Sequence, residues 1–188
     1  MNKLNVLEND EIVSVAKYID DIFVQLKYST TDNFTGKVIY NFSNAYLRYG
    51  TVKRLQKVQS ALKEKGFRLK IWDAFRPVYA QFVMWEAYPD DDFVADPTTG
   101  FSSHSRGNTV DVTVVDKNGN EIPMPTGFDD FEGMIKYDYE AKENEEATKN
   151  SNMLKEIMIN AGFHPCTTEW WHFRDIDTYP VEKDFLPI

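Results

Sequence analysis

Ser102-Ser103-His104-Ser105-Arg106-Gly107-Asn108-Thr109-Val110-Asp111 is the stretch from which the rest of this chain can be read. It carries a histidine at one end, an aspartate at the other and a glycine between them, and it runs into the alternating segment 110–115. Alternation with period two predicts a strand, and a glycine at its entrance permits the sharp loop that can bend His104 and Asp111 together. Near the C-terminus, Glu169-Trp170-Trp171-His172 offers a further imidazole and a further carboxylate. Two imidazoles and a carboxylate leave zinc an open fourth position, the pattern of catalytic rather than structural sites. The spacing leaves a plainer alternative standing, because the chain has no HExxH signature. In it, His104 and His172 are hydrogen-bonded core side chains and Asp111 caps a neighbouring loop.

Upstream, residues 21–28 alternate, with Ile22, Val24, Leu26 and Tyr28 on one face, and predict a strand feeding a turn-rich loop over residues 29–36. Val52, Leu55, Val58 and Leu62 predict an amphipathic helix over residues 51–65, with Thr51 as N-cap and Gly66 as the stop. Residues 67–75 read as a second strand, and Pro77 opens a helix to Tyr88, which leaves Arg76 at a strand-to-helix corner. Residues 89–99 form an acidic surface loop. Downstream, residues 110–116, the turn Lys117-Asn118-Gly119-Asn120 and residues 121–124 predict a hairpin. Residues 125–144 lack a period and read as a lid or rim. Residues 145–161 predict a helix with Leu154, Ile157 and Met158 inward, ended by Gly162, and residues 163–174 a last strand. The class is α+β, one domain over residues 1–188, a central and mainly antiparallel sheet flanked by helices.

A net charge of -9 argues against a nucleic-acid backbone as partner, since phosphate binding needs a concentrated basic surface. Cys166 is the single cysteine, which excludes an internal disulfide and fits a reducing compartment. Glu8, Asp10 and Glu11 stand where a secretory signal needs an apolar run, and no window approaches the roughly 20 apolar residues of a membrane span. The expectation is a cytoplasmic protein with neither membrane nor nucleic-acid partners; composition leaves the oligomeric state open.

Glu169 precedes His172 by three residues. A carboxylate beside a metal ligand can take a proton from water and return it to a leaving amine, the work of a general base and acid. In a straight strand residues so spaced point to opposite faces, so both address one metal only across a turn or bulge. The alternative for Glu169 is a solvated surface charge, and for Trp170 and Trp171 the favoured reading is core packing. Arg76 can stabilise the anion of a tetrahedral intermediate, or simply pair with Asp73. His164, Cys166 and Arg106 are given structural roles.

Four separated motifs thus stand in order: Lys27-Tyr28-Ser29-Thr30-Thr31-Asp32-Asn33-Phe34-Thr35-Gly36, Trp72-Asp73-Ala74-Phe75-Arg76-Pro77, the stretch from Ser102 to Asp111, and Glu169-Trp170-Trp171-His172. Together, from about Asp21 to the C-terminus, they resemble the VanX-type D-alanyl-D-alanine dipeptidases, zinc metallopeptidases of Hedgehog/DD-peptidase-like fold. The resemblance implies one zinc ion held by His104, Asp111 and His172, with Glu169 as catalytic base and acid and Arg76 stabilising the transition state. It further implies Tyr28 and Asp129 at the substrate's ammonium end, Ser102 near its carboxylate, Asp73 in support of Arg76, and hydrolysis of D-Ala-D-Ala to two D-alanines. Residues 88–101 are shorter than in that family, and Pro125 stands where a glycine is common. Two rival expectations are a D,D-carboxypeptidase or endopeptidase acting on longer cell-wall peptides, and a zinc-binding module without catalysis, against which Glu169 and Arg76 count. Between glycopeptide resistance, D-alanine recycling and peptidoglycan turnover the sequence does not choose.

Overall fold

The computed structural model of the protein describes residues 7–91, 94–130 and 144–188. The elements follow in the order β1 (Ile12–Ser14), β2 (Phe23–Val24), β3 (Tyr46–Arg48), α1 (Tyr49–Glu64), β4 (Arg68–Asp73), α2 (Val78–Ala87), β5 (Thr109–Val115), α3 (Glu145–Ala161), β6 (Phe163–Pro165) and β7 (His172–Asp175). Five strands form one sheet in the order β2-β4-β5-β7-β6, and β1 and β3 make a separate antiparallel pair. In the larger sheet β2 runs parallel to β4, and every other pairing is antiparallel.

β5 is the centre of the sheet and is buried at all seven positions. Leu69 stands opposite Val114 and Ile71 opposite Val112; these apolar side chains, with Val110, form the face against which α1 and α3 pack. Helical spacing supplies the other half of that core, Val52, Leu55, Val58 and Leu62 from α1 and Leu154, Ile157 and Met158 from α3. α3 keeps the span its pattern predicts: the Asn144 side chain accepts the Ala147 N–H at its start, and Gly162 turns the chain at φ 95° at its end. α1 begins earlier than expected. Arg48 takes the N-cap position without a side-chain cap bond, and the Thr51 hydroxyl, freed from capping, donates to Asp175 at 2.7 Å.

The pairing of β4 with β5 contains an irregularity that positions the site. Ile71 opposes Val112, yet Asp73 opposes Asp111, so Trp72 is an extra residue on β4. Without this bulge Asp73 would share the helix-packed face of Leu69 and Ile71; with it, Asp73 moves to the opposite face, beside Asp111. Asp111 in turn opposes His172 on β7. Asp73, Asp111 and His172 therefore form one row across three adjacent strands.

Three local expectations change. The strand over residues 21–28 is cut to Phe23–Val24, because Lys27–Ser29 close into a 3-10 turn around the buried Tyr28. Residues 121–124 make only an isolated bridge, Glu121 to Val115, since the Glu121 carboxylate is drawn to Lys70 and Trp72 across β4. The single strand over residues 163–174 is instead the β6–β7 hairpin. Of the proposed lid, residues 131–143 lie outside the described residues.

Candidate metal centre and active site

His104 reaches the site from a 3-10 turn, Ser103–Arg106. Gly107 closes that turn at φ 74°, a left-handed conformation natural to glycine, and feeds β5. Arg106 keeps to a structural role, with its Nη1 donating to the Tyr179 carbonyl at 2.9 Å. His104 Nδ1 donates to the Ala74 carbonyl at 2.8 Å, which fixes the tautomer and turns Nε2 toward Asp111 and His172. There His104 Nε2, Asp111 Oδ1 and His172 Nδ1 converge, with separations of 3.4 Å, 3.4 Å and 3.0 Å. Zinc bonded to nitrogen and oxygen at about 2.0–2.1 Å in tetrahedral geometry requires ligand atoms roughly 3.3–3.4 Å apart. Donor chemistry and spacing both fit. Among the described residues this is the group of His, Cys, Asp and Glu side chains able to hold a metal ion. Exposed His164 and partly buried Cys166 stand outside it. Burial opposes the charge on Asp111, but the two imidazoles outweigh it and hold its carboxyl well below the usual range.

The geometric difficulty over Glu169 resolves itself. β7 begins only at His172, and Glu169 lies in the turn before it, where its carbonyl accepts the His172 N–H at 3.3 Å. The turn brings Glu169 Oε2 to 3.4 Å from His172 Nδ1. Burial pushes the Glu169 carboxyl up to about 7; His172 opposes this, while Asp111 and Asp129 add to it. Trp170 and Trp171 are core residues, 5% and 1% exposed.

A cavity of about 160 Å³ opens over these groups, lined by Tyr28, Arg76, Ser102, Asp111, Asp129, Glu169 and His172 among others. Arg76 is pinned on one edge by Asp73, which accepts from Nε at 3.1 Å and from Nη2 at 2.8 Å. Its guanidinium lies 5.2 Å from the centre of the Tyr28 ring. Asp73 is itself fully buried and accepts a hydrogen bond from the Tyr40 hydroxyl at 2.9 Å. Asp129, in a left-handed conformation at φ 56°, receives the Tyr28 hydroxyl at 3.1 Å. Burial and, next, the charge of Asp111 raise the Asp129 carboxyl to about 7. Ser102 Oγ accepts the His104 N–H at 3.3 Å while facing the cavity. The eight residues singled out in the sequence are thus in one place: seven line the cavity, and His104 lies buried beside Asp111 and His172. The Ala74 carbonyl, a backbone group, leaves no mark in the sequence, where Tyr40 and Gln81 look like ordinary core and helix residues.

Comparison with known proteins bears on the whole chain. Residues 8–187 match the peptidase M15 family, described as D-ala-D-ala dipeptidase. The D-alanyl-D-alanine dipeptidase of Escherichia coli (strain K12) is 36% identical over 179 residues, covering 94% of this chain and 92% of that protein. That of Enterococcus faecalis (strain ATCC 700802 / V583) is 32% identical, covering 82% and 86%. The solved structure of the LdcB LD-carboxypeptidase, 19% identical, aligns over 92% of this chain and 70% of that one with a TM-score of 0.51, a likeness of fold.

Proposed function

The chain belongs to the D-Ala-D-Ala dipeptidase family of metallopeptidases, and from that premise we propose that it is a zinc-dependent dipeptidase that splits D-Ala-D-Ala into two D-alanines. The observation that carries this reading is the convergence of His104 Nε2, Asp111 Oδ1 and His172 Nδ1 at tetrahedral spacing, with a second carboxylate, Glu169, at 3.4 Å from one of them. One zinc ion bound there supplies a Lewis acid and lowers the pKa of water toward about 7.

Glu169 takes the proton of the attacking water and later delivers it to the departing amine nitrogen. Its elevated pKa suits both halves of that exchange, since an acid–base group works best near the operating pH. Arg76, immobile between its partners, donates to the oxyanion that develops as the peptide carbonyl becomes tetrahedral. Asp129, oriented by Tyr28, receives the substrate ammonium, and Ser102 stands at the carboxylate end. The cavity is small, about 160 Å³, which suits a short substrate. A longer peptide would bury one of these charged groups without its partner, which favours the dipeptidase over a carboxypeptidase acting on cell-wall stems.

Residues 1–188 act as one catalytic domain in this reading, and the cytoplasm is its compartment. No helix among the described residues is long and apolar enough to cross a membrane. The test offers the purified, metal-assayed protein D-Ala-D-Ala beside a pentapeptide ending in D-Ala-D-Ala. Release of D-alanine from the dipeptide alone, with about one zinc per chain, is the expected result; faster release from the pentapeptide reassigns the substrate.

A further inference from the structure

We propose that Gln81 is a positioning residue of this site: one end of its amide holds Arg76 in its working orientation and the other fixes the cavity wall at Ala95. The inference deepens the reading above and rests on the role given there to Arg76.

Gln81 lies in the middle of α2 and is 2% exposed. Its inward-facing neighbours on that helix, Ala80 and Met84, are apolar, and an amide in such a place is costly unless both its ends are bonded. Both are. Oε1 accepts from Arg76 Nη1 at 2.9 Å, and Nε2 donates to the Ala95 carbonyl at 2.8 Å.

The guanidinium carries five N–H donors in a fixed plane. Asp73 takes one from Nε and one from Nη2, which ties down a single edge; the Tyr28 ring, 5.2 Å away, bounds one face and leaves the plane free to swing away from it. Gln81 takes one from Nη1, on the far side, and removes that freedom. One donor then remains on each terminal nitrogen, a two-pronged fork for an oxygen in the cavity. Through its other end Gln81 reaches residues 94–102, the segment that contributes Val94, Ala95, Phe101 and Ser102 to the cavity lining. A single side chain therefore sets both the angle of the fork and the position of the opposite wall.

Gln81→Met keeps the length and helix-forming character of the side chain and removes both bonds. Turnover of D-Ala-D-Ala by the zinc-loaded protein is measured with and without Arg76→Ala, alongside thermal unfolding of each variant. In the wild-type background kcat falls about tenfold, the order of one hydrogen bond to a charged group, and KM rises severalfold. With Arg76→Ala already present, Gln81→Met lowers kcat no further, whereas the rise in KM persists.

Equal losses of kcat in both backgrounds, or an unchanged kcat, overturn the inference in favour of simple packing. An Arg76→Ala variant with normal kcat instead removes the role of Arg76 itself, and the Gln81 arm falls with it. Gln81→Glu keeps an acceptor for Arg76 and so retains kcat within about twofold; its loss in a folded variant counts against the proposal.

Discussion

Asp129 is where the demands of binding and of folding oppose each other, and Asp129→Asn separates them. The left-handed backbone at φ 56° tolerates asparagine as well as aspartate, and the amide oxygen still accepts the Tyr28 hydroxyl, so the loop keeps its shape. What changes is the charge. The Asp129 carboxyl, near 3.8 in the unfolded chain, is raised to about 7 in the fold, by burial first and Asp111 second. The folded protein therefore holds this proton more tightly than the unfolded one, and stability falls as pH rises from about 4 through about 7, after which the cost is constant. At about 1.4 kcal/mol per unit the shift has a ceiling of about 4 kcal/mol; solvent relaxation around the charge brings the expectation to about 2–4 kcal/mol. In chelator-treated protein, where no metal charge contributes, urea unfolding at pH 8 is expected to show Asp129→Asn more stable by that amount, the gap closing by pH 4. The zinc-loaded variant is expected to lose about 10- to 100-fold in kcat/KM for D-Ala-D-Ala, mostly through KM, as a charged hydrogen bond to the ammonium is lost. Equal stability of the two proteins at pH 8 refutes the burial argument, and an unchanged kcat/KM refutes the ammonium site.

The remaining predictions concern the metal and its supports. Chelation is expected to abolish activity and added zinc to restore it; activity that survives demonstrated loss of the metal removes the mechanism. Glu169→Ala is expected to bind zinc normally while kcat drops about 10²- to 10⁴-fold, and normal turnover would reassign the base. Gly107→Ala forces a side chain into φ 74° with its Cβ 3.4 Å from Arg48 Cγ, at a cost of about 1–2 kcal/mol. Denaturant unfolding and zinc titration should both register it, and a neutral substitution would show that this turn does not set His104.

Periodic segments were legible in the sequence because one force shapes each of them. α3 keeps its predicted span since its apolar spacing, Asn144 and Gly162 all agree, and β5 follows its run of alternating residues. Where a segment answers to more than one partner, the pattern misleads. Residues 163–174 look extended throughout, but β6 must turn back on β7 for His172 to oppose Asp111. Nor does any propensity announce the bulge at Trp72, which depends on Asp73 having partners on the far face of the sheet. The candidate ligand residues were legible as chemistry; their convergence depended on strand register, which spacing alone does not contain.

That register has a practical consequence. A slip of β7 against β5 by one residue would turn every β7 side chain to the other face, and His172 would leave the row it shares with Asp111. A chain paired in the wrong register would therefore lose the proposed metal site along with its packing. Competition for zinc against a coloured chelator thus sorts correctly assembled molecules from misassembled ones in a refolding mixture, without reference to substrate or turnover.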